Sequence, residues 1–221
     1  MKNMTEASSP AIDDVETDLA REKILDVAEK LLRHIGHRKM TLADIADDLG
    51  MSRANIYRFF PTRASVDQHL YVRFAAQTVK IVREIAQKDA TAHSRLALIL
   101  ETAHRQCRRW IHSDRNVHAL FAAAAMENWP VVSQFSDELT SILETVIRDG
   151  QATAELEIGD PSQAARAVLA CMISFVHPVL VEQRMADEQD IEADLQTQIS
   201  FIVQTFGKPP KAKGPLSRYP G

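Results

Sequence analysis

The stretch from Thr41 to Arg63, TLADIADDLGMSRANIYRFFPTR, restricts the fold more than any other part of the 221-residue chain. Leu42, Ile45, Ala46 and Leu49 recur at the spacing of one helical face. Thr41 stands where an N-cap belongs, and Asp44, three residues on, makes a variant of the capping box. Gly50 closes this helix, because a left-handed residue costs glycine little. Ser52 caps a second helix carrying Ala54, Ile56, Tyr57 and Phe60, and Phe59-Phe60-Pro61 stops it. Helices this short are not stable alone. The pair must pack on a further element, which leaves one face of the second helix turned outward.

That outward face is chemically selected. Ser52, Arg53, Asn55 and Arg58 all carry hydrogen-bond donors. Arg matches guanine O6 and N7, and Asn matches adenine N6 and N7. Tyr57 joins a ring that can pack on the motif to a hydroxyl that can reach a phosphate oxygen. Arg63 falls in the expected first turn of a new helix, where guanidinium and helix N-terminus both favour an anion. This is the layout of a helix-turn-helix, whose second helix enters the major groove. Thr41, Ser52, Arg53, Asn55, Tyr57, Arg58 and Arg63 form the expected DNA-binding set. The plainer reading is a surface helix with solvated charges, against which stand the glycine turn and the aromatic-proline stop.

The segment resembles the TetR family of bacterial transcriptional regulators. The residues that carry the resemblance are Ile24-Leu25 through Gly36, Thr41, Ile45-Ala46, Gly50-Met51-Ser52, Tyr57, Phe59-Phe60 and Arg63. It covers about residues 20 to 70. Lys is usual in the family where Arg63 stands, His is common at Phe59 and Gly is frequent at Ala54. The resemblance implies a homodimer, formed by a four-helix bundle of the last two helices across a two-fold axis. It also implies a small-molecule pocket in the middle helices and repression of a palindromic operator that the ligand relieves.

Charge distribution agrees with a DNA head. The net charge is −4, yet Arg21 to Arg63 holds nine Lys or Arg against six Asp or Glu, a local +3, with His34 and His37 besides. Only 7 residues are Gly, no alternating strand pattern occurs, and helical spacing runs almost throughout, so the chain is read as all-α. The expected organisation is a disordered acidic segment over 1–17, a helix-turn-helix domain over 18–63, a larger helical ligand-binding and dimerisation domain over 64–206, and a flexible basic tail over 207–221. Cys107 and Cys171 form no disulfide framework and suit a reducing cytoplasm. No signal peptide and no apolar stretch of membrane-spanning length is visible.

In the second part, a long helix is expected from Thr62 to about Gln87, then helices over 94–111, from Asp114, over 131–149 with Gly150 as its stop, from Asp160-Pro161 to about His177, and over 188–206. Residues 151–159 read as a loop. His104, Cys107, Trp110, His118, Phe121, Met126 and Trp129 are the candidate ligand-binding residues, since pockets are mostly apolar with a few polar groups. The same residues at helical spacing also read as core. No metal set is expected, because His104, His112 and His118 lack companion ligands at suitable spacing. No cofactor motif appears, and the absence of GxSxG, HExxH and a P-loop argues against an enzyme. A helical protein-interaction adaptor and an uncharacterised all-α enzyme are the alternatives to a ligand-responsive regulator.

Overall fold

The computed structural model describes residues 10–187 and 190–207, and every regular element among them is an α-helix. Helices α1 (Pro10–Ile35), α2 (Leu42–Leu49), α3 (Arg53–Phe59) and α4 (Arg63–Ala86) come first. They are followed by α5 (Ala92–Ser113), α6 (Arg115–Met126) and α7 (Pro130–Ala152). Helices α8 (Pro161–Cys171), α9 (Ile173–Val176), α10 (Pro178–Ala186) and α11 (Ile191–Thr205) come last. The first helix starts well ahead of the expected Asp18, so Pro10–Thr17 is helical where disorder was expected. The rest of the expected disordered segment, and the basic tail beyond Gly207, lie outside the described residues.

The chain divides into two compact units, Met1–Phe74 with Ser113–Trp129 and Ala75–His112 with Pro130–Gly221. A single boundary after residue 63 was expected. The division falls instead within α4, and α6 belongs with α1–α3. The reason is local. Val117, Leu120, Ala123 and Ala124, with His118 beside them, give α6 a largely apolar inner face, which packs on α1. Asp114, which caps α6 through the Val117 amide at 3.1 Å, also pairs with Arg33 of α1. Asn116 Nδ2 donates to the Arg33 carbonyl oxygen at 2.8 Å.

The first unit buries Ile24, Ala28 and Leu32 of α1, Leu42, Ile45 and Ala46 of α2, Ile56 of α3, and Val66, Leu70 and Phe74 of α4. The second unit gathers Leu96, Ile99 and Leu100 of α5, Leu143, Val146 and Ile147 of α7, Ala165 and Val168 of α8, and Leu195, Ile199 and Ile202 of α11 into one cluster. The apolar stripe of α11, expected to form a dimer face, is thus core of its own protomer.

Three local expectations change. Gly150 does not stop α7, which runs to Ala152. The glycine is needed for space: a Cβ there would lie 2.6 Å from the Ala92 Cβ and from Leu156. The helix expected over Asp160 to His177 breaks at Met172 into α8 and α9. Pro178, read as a terminator, opens α10 instead, with Pro at the start of a helix where its missing N–H costs nothing.

Candidate nucleic-acid interface and sensor residues

The turn between α2 and α3 is built as the residues dictate. The Thr41 hydroxyl accepts from the Asp44 amide at 3.2 Å, and Asp44 Oδ2 accepts from the Thr41 amide at 2.8 Å. Gly50 is left-handed at φ 62°, and the Met51 amide reaches back to the Ala46 carbonyl oxygen at 2.9 Å. Nothing crowds the missing Cβ of Gly50, so its requirement is conformational alone. Ser52 Oγ accepts from the Asn55 amide at 3.2 Å and starts α3.

Helix α3 has two distinct faces. Ile56 is 0% exposed, and Phe60 just beyond the helix is 1% exposed and meets the His69 ring edge-on at 5.2 Å. Arg53, Ala54, Tyr57 and Arg58 face away from that core, and Tyr57 remains 53% exposed. Ala54 and Tyr57, the latter in the expected DNA-binding set, therefore lie on the outward face. Asn55 is half-buried on the flank, and the Arg58 guanidinium stands 5.2 Å from the Phe59 ring. Ser52, Arg53, Asn55, Tyr57 and Arg58 come together on one short helix and its cap. Thr41 is exposed, with its hydroxyl committed to the capping box.

Arg63 is placed differently from its expected role. Its Nη1 lies 2.8 Å from Oδ2 of Asp67, whose side chain is 1% exposed, and also donates to the His37 carbonyl oxygen. His37 Nδ1 stands 3.8 Å from the same Asp67 oxygen. The guanidinium thus neutralises a buried carboxylate, whereas sequence reading assigned it to a phosphate.

The candidate ligand residues do not form one set. His118, Phe121, Met126 and Trp129 belong to the first unit, and His104, Cys107 and Trp110 to the second. His118 is buried, and the Phe121 ring packs on Tyr71 at 4.7 Å. Met126 is 62% exposed, and Trp129 Nε1 donates to Glu127 at 2.9 Å. On α5, Trp110 is buried under the Arg109 guanidinium, 4.8 Å from its ring. Burial pushes the Cys107 thiol up to about 12, which makes it an inert packing group. Burial also lowers the His104 pKa, against a raising hydrogen bond to the Phe175 carbonyl and with help from the Arg108 and Arg184 charges. Among the described residues no three His, Cys, Asp or Glu converge as metal ligands.

Sequence reading missed a cleft in the second unit. Glu101, His104, Arg105, Arg108, Arg109 and His112 of α5 line a space of about 320 Å³, closed on the α11 side by Glu192, Leu195 and Gln196. Arg108 pairs with Glu192, and Gln196 Nε2 donates to Glu101 at 3.2 Å. The signal was present in the numbering: steps of three, one, three, one and three make a single helical face.

Comparison with known proteins agrees with this architecture. Residues 24–66 match the model of bacterial regulatory proteins of the tetR family, and residues 92–197 match a tetracyclin repressor-like C-terminal domain. The HTH-type transcriptional repressor KstR2 of Rhodococcus jostii is 22% identical over 158 residues, 67% of this chain and 76% of that protein. A TetR/AcrR-family regulator from Thermobifida fusca shares the fold at a TM-score of 0.61 and 21% identity, over 86% of this chain and 99% of its own. Thermus thermophilus FadR, a TetR-family repressor solved in complex with lauroyl-CoA, does so at 0.61 and 15% identity, over 89% of this chain and 100% of its own. With one family model on the helix-turn-helix and a second on the helices that follow, the chain belongs to the TetR family and is a ligand-responsive DNA-binding transcriptional regulator.

Proposed function

We propose that this regulator is a homodimeric repressor that reads a palindromic operator through α3 and leaves it when a small molecule binds the unit containing α5 and α11. The observation that supports the DNA end is the division of α3 into a buried Ile56 face and an outward Arg53–Tyr57–Arg58 face. Arg53 and Asn55 read bases, while Ser52, Tyr57 and Arg58 hold the backbone.

Two half-sites require two copies. With the α11 stripe engaged in its own core, the surface left for a partner copy includes Phe201 at 62% exposed, Ile173 at 51%, and the small outward residues Ala167, Ala170 and Cys171 of α8. Small side chains there let helices of two copies approach closely. The lauroyl-CoA held by the similarly folded FadR favours an amphipathic effector for this chain. A regulator of chromosomal genes acts in the cytoplasm, and no helix among the described residues is long and apolar enough to cross a membrane. No catalysis is part of this function.

The test is selection of operators from random DNA, followed by gel retardation. Arg53→Ala and Asn55→Ala should each cost about 1–3 kcal/mol on the selected site and less on random DNA. Recovery of no preferred sequence, or equal losses on both DNAs, would contradict base readout by α3.

A further inference from the structure

The cleft between α5 and α11 contains a buried hydrogen-bond acceptor, His104 Nε2, that faces a second acceptor, Glu192 Oε1, and has no donor of its own. His104 is 2% exposed, and its Nδ1 lies 2.7 Å from the Phe175 carbonyl oxygen. A carbonyl only accepts, so Nδ1 carries the proton and Nε2 of the neutral ring presents a lone pair. That Nε2 is buried, has no hydrogen-bond partner, and stands 3.8 Å from Glu192 Oε1. A buried acceptor left in this state is costly, and a donor placed beside it removes the cost. Three arginines line the cleft, against one further carboxylate, Glu101, which accepts from Gln196. Arg108 is engaged by Glu192, Arg109 lies over Trp110, and Arg105 has no hydrogen bond or ion pair among the described residues. A volume of about 320 Å³ is at the small end of ligand pockets, roughly 300–1,000 Å³.

We propose that this cleft binds a small oxyacid that carries an O–H beside its anionic oxygens, of the chemistry shared by a phosphate monoester in its hydrogen form and a 2-hydroxy carboxylate. The anionic oxygens lie against the Arg105 and Arg109 guanidinium groups, and the O–H donates to His104 Nε2. Glu192 competes with the ligand for Arg108. The proposal deepens the sensor reading and rests on it only for what binding does to DNA, not for binding itself.

Titration calorimetry of the full chain with phenyl phosphate and with 2-hydroxyoctanoate separates the two sources, and octanoate serves as the control without the O–H. One of the first two should bind. The Arg105→Gln/Arg109→Gln double variant should weaken that binding by about tenfold or more, as loss of two charged donors requires. Both residues are exposed, so the variant keeps its fold, which far-ultraviolet circular dichroism checks. Glu192→Gln should tighten binding, a direction that a general loss of structure cannot produce. No binding of either probe at millimolar concentration, unchanged binding by the double variant, or octanoate binding as tightly as the probes would overturn the proposal. Retardation of a selected operator by the same preparations is a separate readout. Binding without loss of retardation removes the cleft as the regulatory site but leaves it as an oxyacid site, whereas absence of binding overturns the site and leaves the DNA reading untouched.

Discussion

Arg63→Ala should destabilise the fold rather than remove a phosphate contact. The Asp67 side chain is 1% exposed and that of Arg63 is 40% exposed, with Nη1 and Oδ2 2.8 Å apart. Neither Asp67 oxygen has a partner in hydrogen-bond alignment, so the carboxylate depends on this ion pair and on His37 at 3.8 Å. Breaking a fully buried pair costs about 3–5 kcal/mol, because one charge is left in the interior. The half-open position of Arg63 lets water replace part of the guanidinium, which lowers the expected loss to roughly 2–3 kcal/mol. Loss of the donor to the His37 carbonyl oxygen adds about 1 kcal/mol. Urea denaturation followed by circular dichroism should show this as a fall in midpoint at unchanged slope. Arg63→Met with Asp67→Leu, which removes both charges, should recover most of the loss. Operator binding measured over a salt series should keep its slope, since no backbone contact is removed. Wild-type stability in Arg63→Ala, together with a slope lower by about one, would refute the inward role and restore the phosphate assignment.

Further outcomes follow from packing and charge. Gly150→Ala must displace Ala92 or Leu156 from 2.6 Å contacts and should lower stability by about 1–3 kcal/mol, measured by the same denaturation; an unchanged midpoint would show that α5 and α7 can separate without cost. Burial holds the folded His104 pKa below the ordinary imidazole value of 6.5, so the unfolded chain binds the extra proton first. Stability is therefore full above pH 6.5 and declines as pH falls below it, and His104→Gln should flatten that decline in denaturation midpoints taken from pH 7.5 to 5. Phe201→Asp alters an exposed apolar surface rather than the core, and should give folded monomers by light scattering with loss of operator binding; a stable dimer would exclude Phe201 from the interface.

The helix-turn-helix was legible because its determinants are local. Thr41, Asp44, Gly50 and Ser52 act through backbone groups within four residues of themselves, and sequence spacing is sufficient to find such interactions. The all-α class was legible for the same reason. The division of the chain was not, because α6 joins α1 through Arg33, Asp114 and Asn116, residues about 80 positions apart whose pairing no periodicity announces. Arg63 was read by a related route. Position at a helix start gives a guanidinium an anion to seek, but the anion found is Asp67, one turn along the same helix and buried from the water that would otherwise compete.

The cleft on α5 shows why residue type alone locates a site poorly. His, Trp, Met and Phe between 104 and 129 were grouped because they are the residues pockets use, yet they are divided between two units, Cys107 packs against the apolar core, and Trp110 is buried under the Arg109 guanidinium. The sequence reading gave the arginines among them no role. Yet α5 carries two stripes at helical spacing: Leu96, Ile99, Leu100 and Trp110 enter the interior, while Glu101, His104, Arg105, Arg108, Arg109 and His112 lie along the side that meets α11. A polar stripe facing only water needs no buried histidine. His104 lies in this stripe at 2% exposed, and its ring is fixed by the Phe175 carbonyl, so an otherwise open stripe holds one buried group with directed hydrogen-bonding capacity. A residue whose polarity conflicts with its burial marks a candidate site more sharply than an aromatic that satisfies both roles, and His104 meets that condition where Trp110 does not.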